Sequence, residues 1–236
     1  MKPIRYLMNI LIISYASKGR EDYHKGLKRL IDSCIPFGYD LRMYSPDMSE
    51  REYNGVPILI PHTTPHSEVP YKFKFDLIQQ AYFDGYKRIV WLDSSMVVKR
   101  DLNELFDGSG GWCFHNLGHP LYKWIGDEAV KNLVMDEKEL YSTPQTWGGC
   151  FGLDFNNYGI IDLLSEILYQ SNMGSFNECK SYREGFVAHR HDQSVLSVLF
   201  NRYKVKMYDY GTILTGSHCY TENEYGNNPY LNHLAI

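Results

Sequence analysis

The segment Arg88-Ile89-Val90-Trp91-Leu92-Asp93-Ser94-Ser95-Met96-Val97-Val98 constrains the fold more than any other part of the chain. An apolar run of strand length ends abruptly in an aspartate and two small hydroxyl residues, and a second apolar pair follows. A strand with one solvated face alternates apolar and polar side chains. A run without that alternation is buried on both faces, which calls for a layer on each side of its sheet. In open α/β sheets, ligands collect beyond the carboxyl ends of such strands. Asp93 stands at that position. Its carboxylate can hold a divalent cation or a sugar hydroxyl, or can simply cap the turn that follows.

The rest of the chain repeats the pattern. Met8 to Ser14 reads as a buried strand, Asp22 to Cys34 as a helix through Leu27, Leu30 and Ile31, and Asp40 to Tyr44 as a second strand. This βαβ opening predicts a parallel sheet with crossover helices. Ser45 to Pro70 is rich in Pro, His, Thr and Ser and offers one strand, Val56 to Ile60. Tyr71 to Tyr86 has helical spacing, with Lys74, Leu77, Ile78 and Ala81 on one stripe and Lys72, Asp76, Gln79 and Gln80 toward the other side. In an α/β layer this helix runs antiparallel to the strand ending at Asp93. Its N-terminus, with Lys72 and Lys74, then lies at the Asp93 edge, where helix end and lysines both favour an anion such as phosphate. The same lysines would also suit a solvated helix face.

Further along, a helical turn is expected over Asp101 to Phe106, a strand and loop over Trp112 to His119 and a helix over Asp127 to Leu140. Thr146 to Asp154 is strand-like but contains Gly148-Gly149, and glycine weakens a strand unless its small size is needed. A bulge or the close approach of a ligand would each need it. Gly159 to Ser171 and Val195 to Tyr203 read as helices, the second with Asp192 near its cap, and Val205 to Tyr208 as a last strand.

The net charge of −4 argues against a broad nucleic-acid or polybasic membrane surface. Twenty tyrosines and four tryptophans suit surfaces that stack on bases or sugar rings, although most should fill core and boundary positions. The five cysteines are widely spaced with no CxxC pair, which fits reduced thiols better than a structural zinc site. The apolar run from Ile10 to Ile13 is too short for a membrane span, so a cytoplasmic protein is expected.

In order and spacing these segments resemble the GT-A class of nucleotide-sugar-dependent glycosyltransferases over roughly Met8 to Tyr208. The matching pieces are the first strand and loop (Ile12 to Ser17), the lysine-bearing helix, Val90 to Ser95, the glycine-bearing strand Trp147 to Asp154, and Asp192-Gln193 opening a helix. The resemblance implies one GT-A-like domain over residues 1–236, with a mixed, mostly parallel central sheet flanked by helices and 211–236 as an acceptor-side or metal-side tail. It implies transfer of a sugar, most simply from a UDP-sugar, to an acceptor hydroxyl. Donor binding would fall to Ser14 and Tyr15 beside the base, Lys72 and Lys74 at the phosphates, Asp93, Ser94 and Ser95 at the strand end, and Trp147, Gly148 and Gly149 at the sugar. Asp192 would be the base of an inverting reaction or the hydroxyl anchor of a retaining one, with Gln193 as its neutral partner. The family's metal motif is Asp-any-Asp, whereas this chain reads Asp93-Ser94-Ser95. Either Mn²⁺ or Mg²⁺ is held by Asp93 with the diphosphate and a distant ligand such as His218, or the enzyme works without a metal. A nucleotidyltransferase of the same fold is disfavoured by the glycine-poor loop Ser14 to Arg20, and the missing second aspartate leaves room for a non-catalytic sugar- or nucleotide-binding module.

Overall fold

The computed structural model describes residues 9–17, 21–116, 118–208 and 214–215. Its first strand, β1 (Ile10–Tyr15), shows why an unbroken apolar run was needed. Ile10 and Ile12 pack into one hydrophobic cluster, while Leu11 and Ile13 pack into another on the opposite face of the sheet. The first cluster is closed by α1 (Glu21–Cys34), through Leu27, Leu30 and Ile31. The chain then adds β2 (Asp40–Tyr44), β3 (Glu52–Tyr53) and β4 (Val56–Leu59) before α2 (Lys72–Phe83), whose Phe75, Leu77, Ile78 and Ala81 help close the second cluster.

Next come β5 (Arg88–Leu92), β6 (Val97–Val98) and β7 (Gly111–His115). The segment expected to be one helix over Asp127 to Leu140 is two, α3 (Asp127–Asn132) and α4 (Glu137–Ser142). Val134 adopts positive φ between them, and Asp136 caps the second helix by accepting from the Glu139 N–H. A cap restarts a helix with its own phase, and that breaks the apolar period across the two. The chain continues through β8 (Thr146–Asp154), α5 (Tyr158–Asn172), α6 (His191–Arg202), β9 (Lys206–Tyr208) and β10 (Leu214–Thr215).

The architecture is mixed α/β. Eight strands form one sheet in the order β3-β4-β2-β1-β5-β8-β7-β9, with helices on both faces. Four of its seven pairings are parallel (β1 with β2 and β5, β2 with β4, β7 with β9). Strand order reverses around β1. It pairs with β2 on one side through α1, and with β5 on the other after the chain has crossed the opposite face through α2. A crevice therefore opens at the carboxyl ends of β1 and β5. Because β8 is antiparallel to β5, with Leu92 opposite Cys150, the start of β8 reaches the same edge. The first turns of α2 and α6 arrive there as well, as the contacts of Lys74 with Asp93 and Asp192 show. Among the described residues, no helix is long and apolar enough to cross a membrane.

Candidate functional site

The crevice is built around one buried lysine. Lys74, in the first turn of α2, places its Nζ 3.0 Å from the Asp192 carboxylate, 3.6 Å from that of Asp93 and 3.1 Å from the Gly148 carbonyl, to which it donates. The ring faces of Tyr71 and Trp91 lie 5.0 and 5.4 Å from the same ammonium. Burial alone would discharge this lysine; the charges of Asp192 and Asp93 overcome it and hold the amine protonated, its pKa above the ordinary value. For Asp192, burial pushes the carboxyl up and Lys74 pulls it down, with Asp93 adding to the upward push. The two aspartates differ in access. The Asp93 side chain is 42% exposed and that of Asp192 only 5%. Asp93 therefore meets the solvent side of the crevice, and Asp192 supports it from below through Lys74.

Asp93 is fixed from three directions. The indole N–H of Trp91 donates to its Oδ1 at 2.8 Å, its backbone N–H donates to the Gly149 carbonyl at 2.8 Å, and its own carbonyl accepts from the Met96 N–H at 2.9 Å. The Gly148-Gly149 pair lies in a β-bulge: between Cys113↔Phe151 and His115↔Thr146, β8 has four residues against one of β7. The bulge turns two successive carbonyls inward, one to Lys74 and one to the Asp93 backbone. Neither glycine has room for more. A Cβ on Gly149 would sit 2.7 Å from Asp93 Oδ2, and one on Gly148 would sit 3.1 Å from the Gln193 Cβ.

Asp192 is not the cap of α6. The helix begins one residue earlier, with Arg190 at the N-cap position, and Asp192 lies inside its first turn facing Lys74. The strong pull of a buried ammonium outweighs the usual N-cap preference of aspartate. Its neighbour Gln193 is half-buried and packed against Gly148, with its amide nitrogen unpartnered among the described residues.

The other expected residues separate. Lys72 is held away from the cluster by Asp76 at 2.5 Å and Thr64 at 3.1 Å. Ser14 is fully buried in β1 on the α1 side, its hydroxyl unpartnered among the described residues. Tyr15, the next residue, points to the α2 side, where its ring meets Phe73 at 4.4 Å between centroids. Ser94 and Ser95 are buried in the turn after Asp93, and Trp147 lies half-buried beside Gly149, whose Cβ would fall 3.3 Å from its ring. His218 lies outside the described residues. The described part of the tail ends just short of it, at Thr215, which pairs with Val97 two residues beyond Ser95.

Sequence reasoning missed Tyr71, His66 and His191. Tyr71 and His191 precede and open their helices with φ of 61° and 44°, a left-handed conformation rare for such side chains and concentrated at functional sites. Their rings lie 5.6 Å apart, and His66 meets Tyr71 edge-on at 4.7 Å. No local pattern marks them, because the three come together from separate elements. Among the described residues, no group of three His, Cys, Asp or Glu side chains could hold a metal ion. Asp93 with two buried serines falls short of the oxygen ligands that Mg²⁺ or Mn²⁺ requires.

No protein-family model matches the chain, and no curated protein matches it by sequence. Among solved structures, it is similar to a glycosyltransferase involved in the glycosylation of the major capsid of PBCV-1, with 16% identity and a TM-score of 0.49 over 86% of this chain and 81% of that one.

Proposed function

We propose that the protein is a glycosyltransferase that moves a sugar from a nucleotide diphosphate donor, most simply a UDP-sugar, to an acceptor hydroxyl. The observation that supports this most directly is Asp93: a half-exposed carboxylate at the β1/β5 switch point, oriented by Trp91 and Lys74 over a glycine bulge. A crevice of this kind suits a ligand that brings both hydroxyls and a flat ring. In this reading the Tyr15-Phe73 pair stacks the base and Asp93 anchors the ligand at the strand end. The bulge lets the sugar approach the backbone closely, and the unpartnered Gln193 amide donates to a sugar hydroxyl. Asp192 is sealed under Lys74, so the geometry favours its anchoring and positioning role over that of a base taking the acceptor proton. Lys74 is already neutralised by two carboxylates and acts as their spacer rather than as a free phosphate ligand. Because the described residues do not complete a cation site, no step is assigned to a metal. Mn²⁺ or Mg²⁺ on Asp93 and His218 would need donor phosphates to fill its remaining positions.

The test is release of free nucleotide from UDP-, GDP- and dTDP-sugars in the presence of mixed glycan and small-molecule acceptors, with and without Mn²⁺. One donor class should turn over. Asp93→Asn should lower kcat/KM for it at least roughly 100-fold, the size of effect expected when a positioned charge is removed from a site. No turnover of any donor would sink the reading, and wild-type turnover in that variant would remove Asp93 from the site. A second reading, a non-catalytic binding module, draws on Ser95, which stands buried where a metal-bearing aspartate would be expected. Tight donor binding without any nucleotide release would favour it.

A further inference from the structure

A second polar cluster lies where the 118–124 segment meets the start of α6. Arg190 lays its guanidinium over the face of Trp124, 3.9 Å from the ring centroid. His119 meets the same indole edge-on at 5.1 Å. The backbone locks this arrangement: the Arg190 N–H donates to the Trp124 carbonyl at 3.1 Å, and the Ser194 hydroxyl donates to that carbonyl too. The side chains, by contrast, are unspent. Among the described residues, no carboxylate lies within ion-pair distance of Arg190. His119 is 9% exposed, and its Nδ1 has no hydrogen-bond partner there. Burial lowers the pKa of both groups, and Arg190 adds to the effect on His119, so the imidazole is kept neutral beside a charged guanidinium.

Trp124 covers one face of the Arg190 guanidinium, which stays partly accessible, and gives it a cation–π contact but no counter-charge. The stacked indole also pre-orients the planar fork, the geometry that suits a carboxylate or phosphate bidentately. The position adds a third argument. Lys72 is neutralised by Asp76, and Lys74 is shared by two aspartates. Arg190 is then the cation nearest the crevice in sequence, two residues from Asp192, that has no carboxylate among the described residues.

We propose that Arg190, backed by Trp124 and flanked by His119, is a recognition site for an anionic group, carboxylate or phosphate, of a molecule bound beside the Asp93 crevice. The chemistry is the same whether an acidic acceptor or the donor diphosphate brings the anion. Only the assignment to acceptor or donor rests on the glycosyltransferase reading.

The experiment follows the Trp124 indole N–H by ¹⁵N NMR, assigned with Trp124→Phe, while glucose, glucuronate, inorganic phosphate and UDP are titrated separately. The expected result is that at least one anion shifts the Trp124 signal and glucose does not. Arg190→Gln should weaken that binding at least tenfold, and Arg190→Lys, which keeps the charge but not the fork, should weaken it less. A response to glucuronate or phosphate without UDP assigns the site to the acceptor, and a response to UDP alone assigns it to the donor. No shift with any anion, or unchanged affinity in a folded Arg190→Gln, overturns the proposal. If anions still bind through Arg190 but the wild-type protein releases nucleotide from no donor, the function proposed above fails and the anion site stands.

Discussion

At the scale of single residues, Lys74 and His189 carry the sharpest consequences. Lys74→Met would strand Asp192 in a buried site with no counter-ion, a loss of about 3–5 kcal/mol in stability. Removing the second charge as well, in Lys74→Met/Asp192→Asn, should restore most of it, because the cost lies in the unpaired charge rather than in the missing pair. Urea unfolding of the three proteins measures both steps. His189 is buried and accepts at Nδ1 from the Gly126 N–H, so its Nε2–H faces the Ser175 carbonyl and the neutral ring satisfies both neighbours. A proton on Nδ1 would oppose the Gly126 N–H. Burial, with His191 nearby, lowers its pKa from 6.5 to about 4. The unfolded chain therefore binds the proton that the folded one refuses. Stability is complete above the unfolded pKa and falls as the pH drops from about 6.5 toward 4, by up to roughly 3 kcal/mol. His189→Gln, which keeps an acceptor and a donor but does not titrate, should flatten that part of the stability–pH curve in chemical denaturation.

At the scale of elements, the glycines tell packing apart from function. Gly26, inside α1, faces the turn after β5, and a Cβ there would sit 2.6 Å from the Ser94 carbonyl oxygen. Backbone meets backbone at that contact, so Gly26→Ala must move the helix or the turn and should cost about 1–3 kcal/mol. Gly149→Ala meets side chains instead, chiefly Asp93 Oδ2, of a carboxylate whose other oxygen the Trp91 indole holds. It should cost less stability than Gly26→Ala and, by displacing that carboxylate, lower donor affinity at least tenfold, read by calorimetry beside thermal unfolding. The strands that carry these sites were legible because each has a one-dimensional signature. The β1 and β5 runs, the α2 stripe with Lys74 inward, and the Gly148-Gly149 interruption all fell where the sequence places them. Less legible was the fate of each charge. Lys72 and Lys74 are two residues apart on one helix; Lys72 pairs locally with Asp76 four residues on, whereas only the three-dimensional position of Asp93 and Asp192 decides that Lys74 is the one buried at the crevice. The step of Asp192 from cap to interior is decided in the same way by a partner distant in sequence, Lys74.

At the scale of the whole molecule, the layered α/β sheet followed from runs buried on both faces, because no other common architecture covers two faces of one sheet. The contacts across the crevice did not follow. Arg190 meets Trp124, and Tyr71 meets His191, across long stretches of chain that no periodicity links. Those contacts have a thermodynamic consequence. The β5 turn, the β8 bulge and the first turns of α2 and α6 meet through Lys74, a single ammonium whose charge is balanced by groups from two of those elements. A ligand resting on Asp93 and the bulge would touch several of these elements at once and would bind only when they are assembled. Its binding free energy then appears as global stability, about 2.7 kcal/mol at a hundredfold excess over Kd. For a chain of this length that corresponds to a rise in melting temperature of roughly 5–11 °C. The cognate nucleotide sugar should produce such a shift in wild type, its base identifying the donor class. Asp93→Asn should abolish most of the shift while leaving the unliganded melting temperature in place. A shift of equal size in both proteins would mean that the ligand settles elsewhere on the fold, and the crevice at the end of β5 would lose its claim to the site.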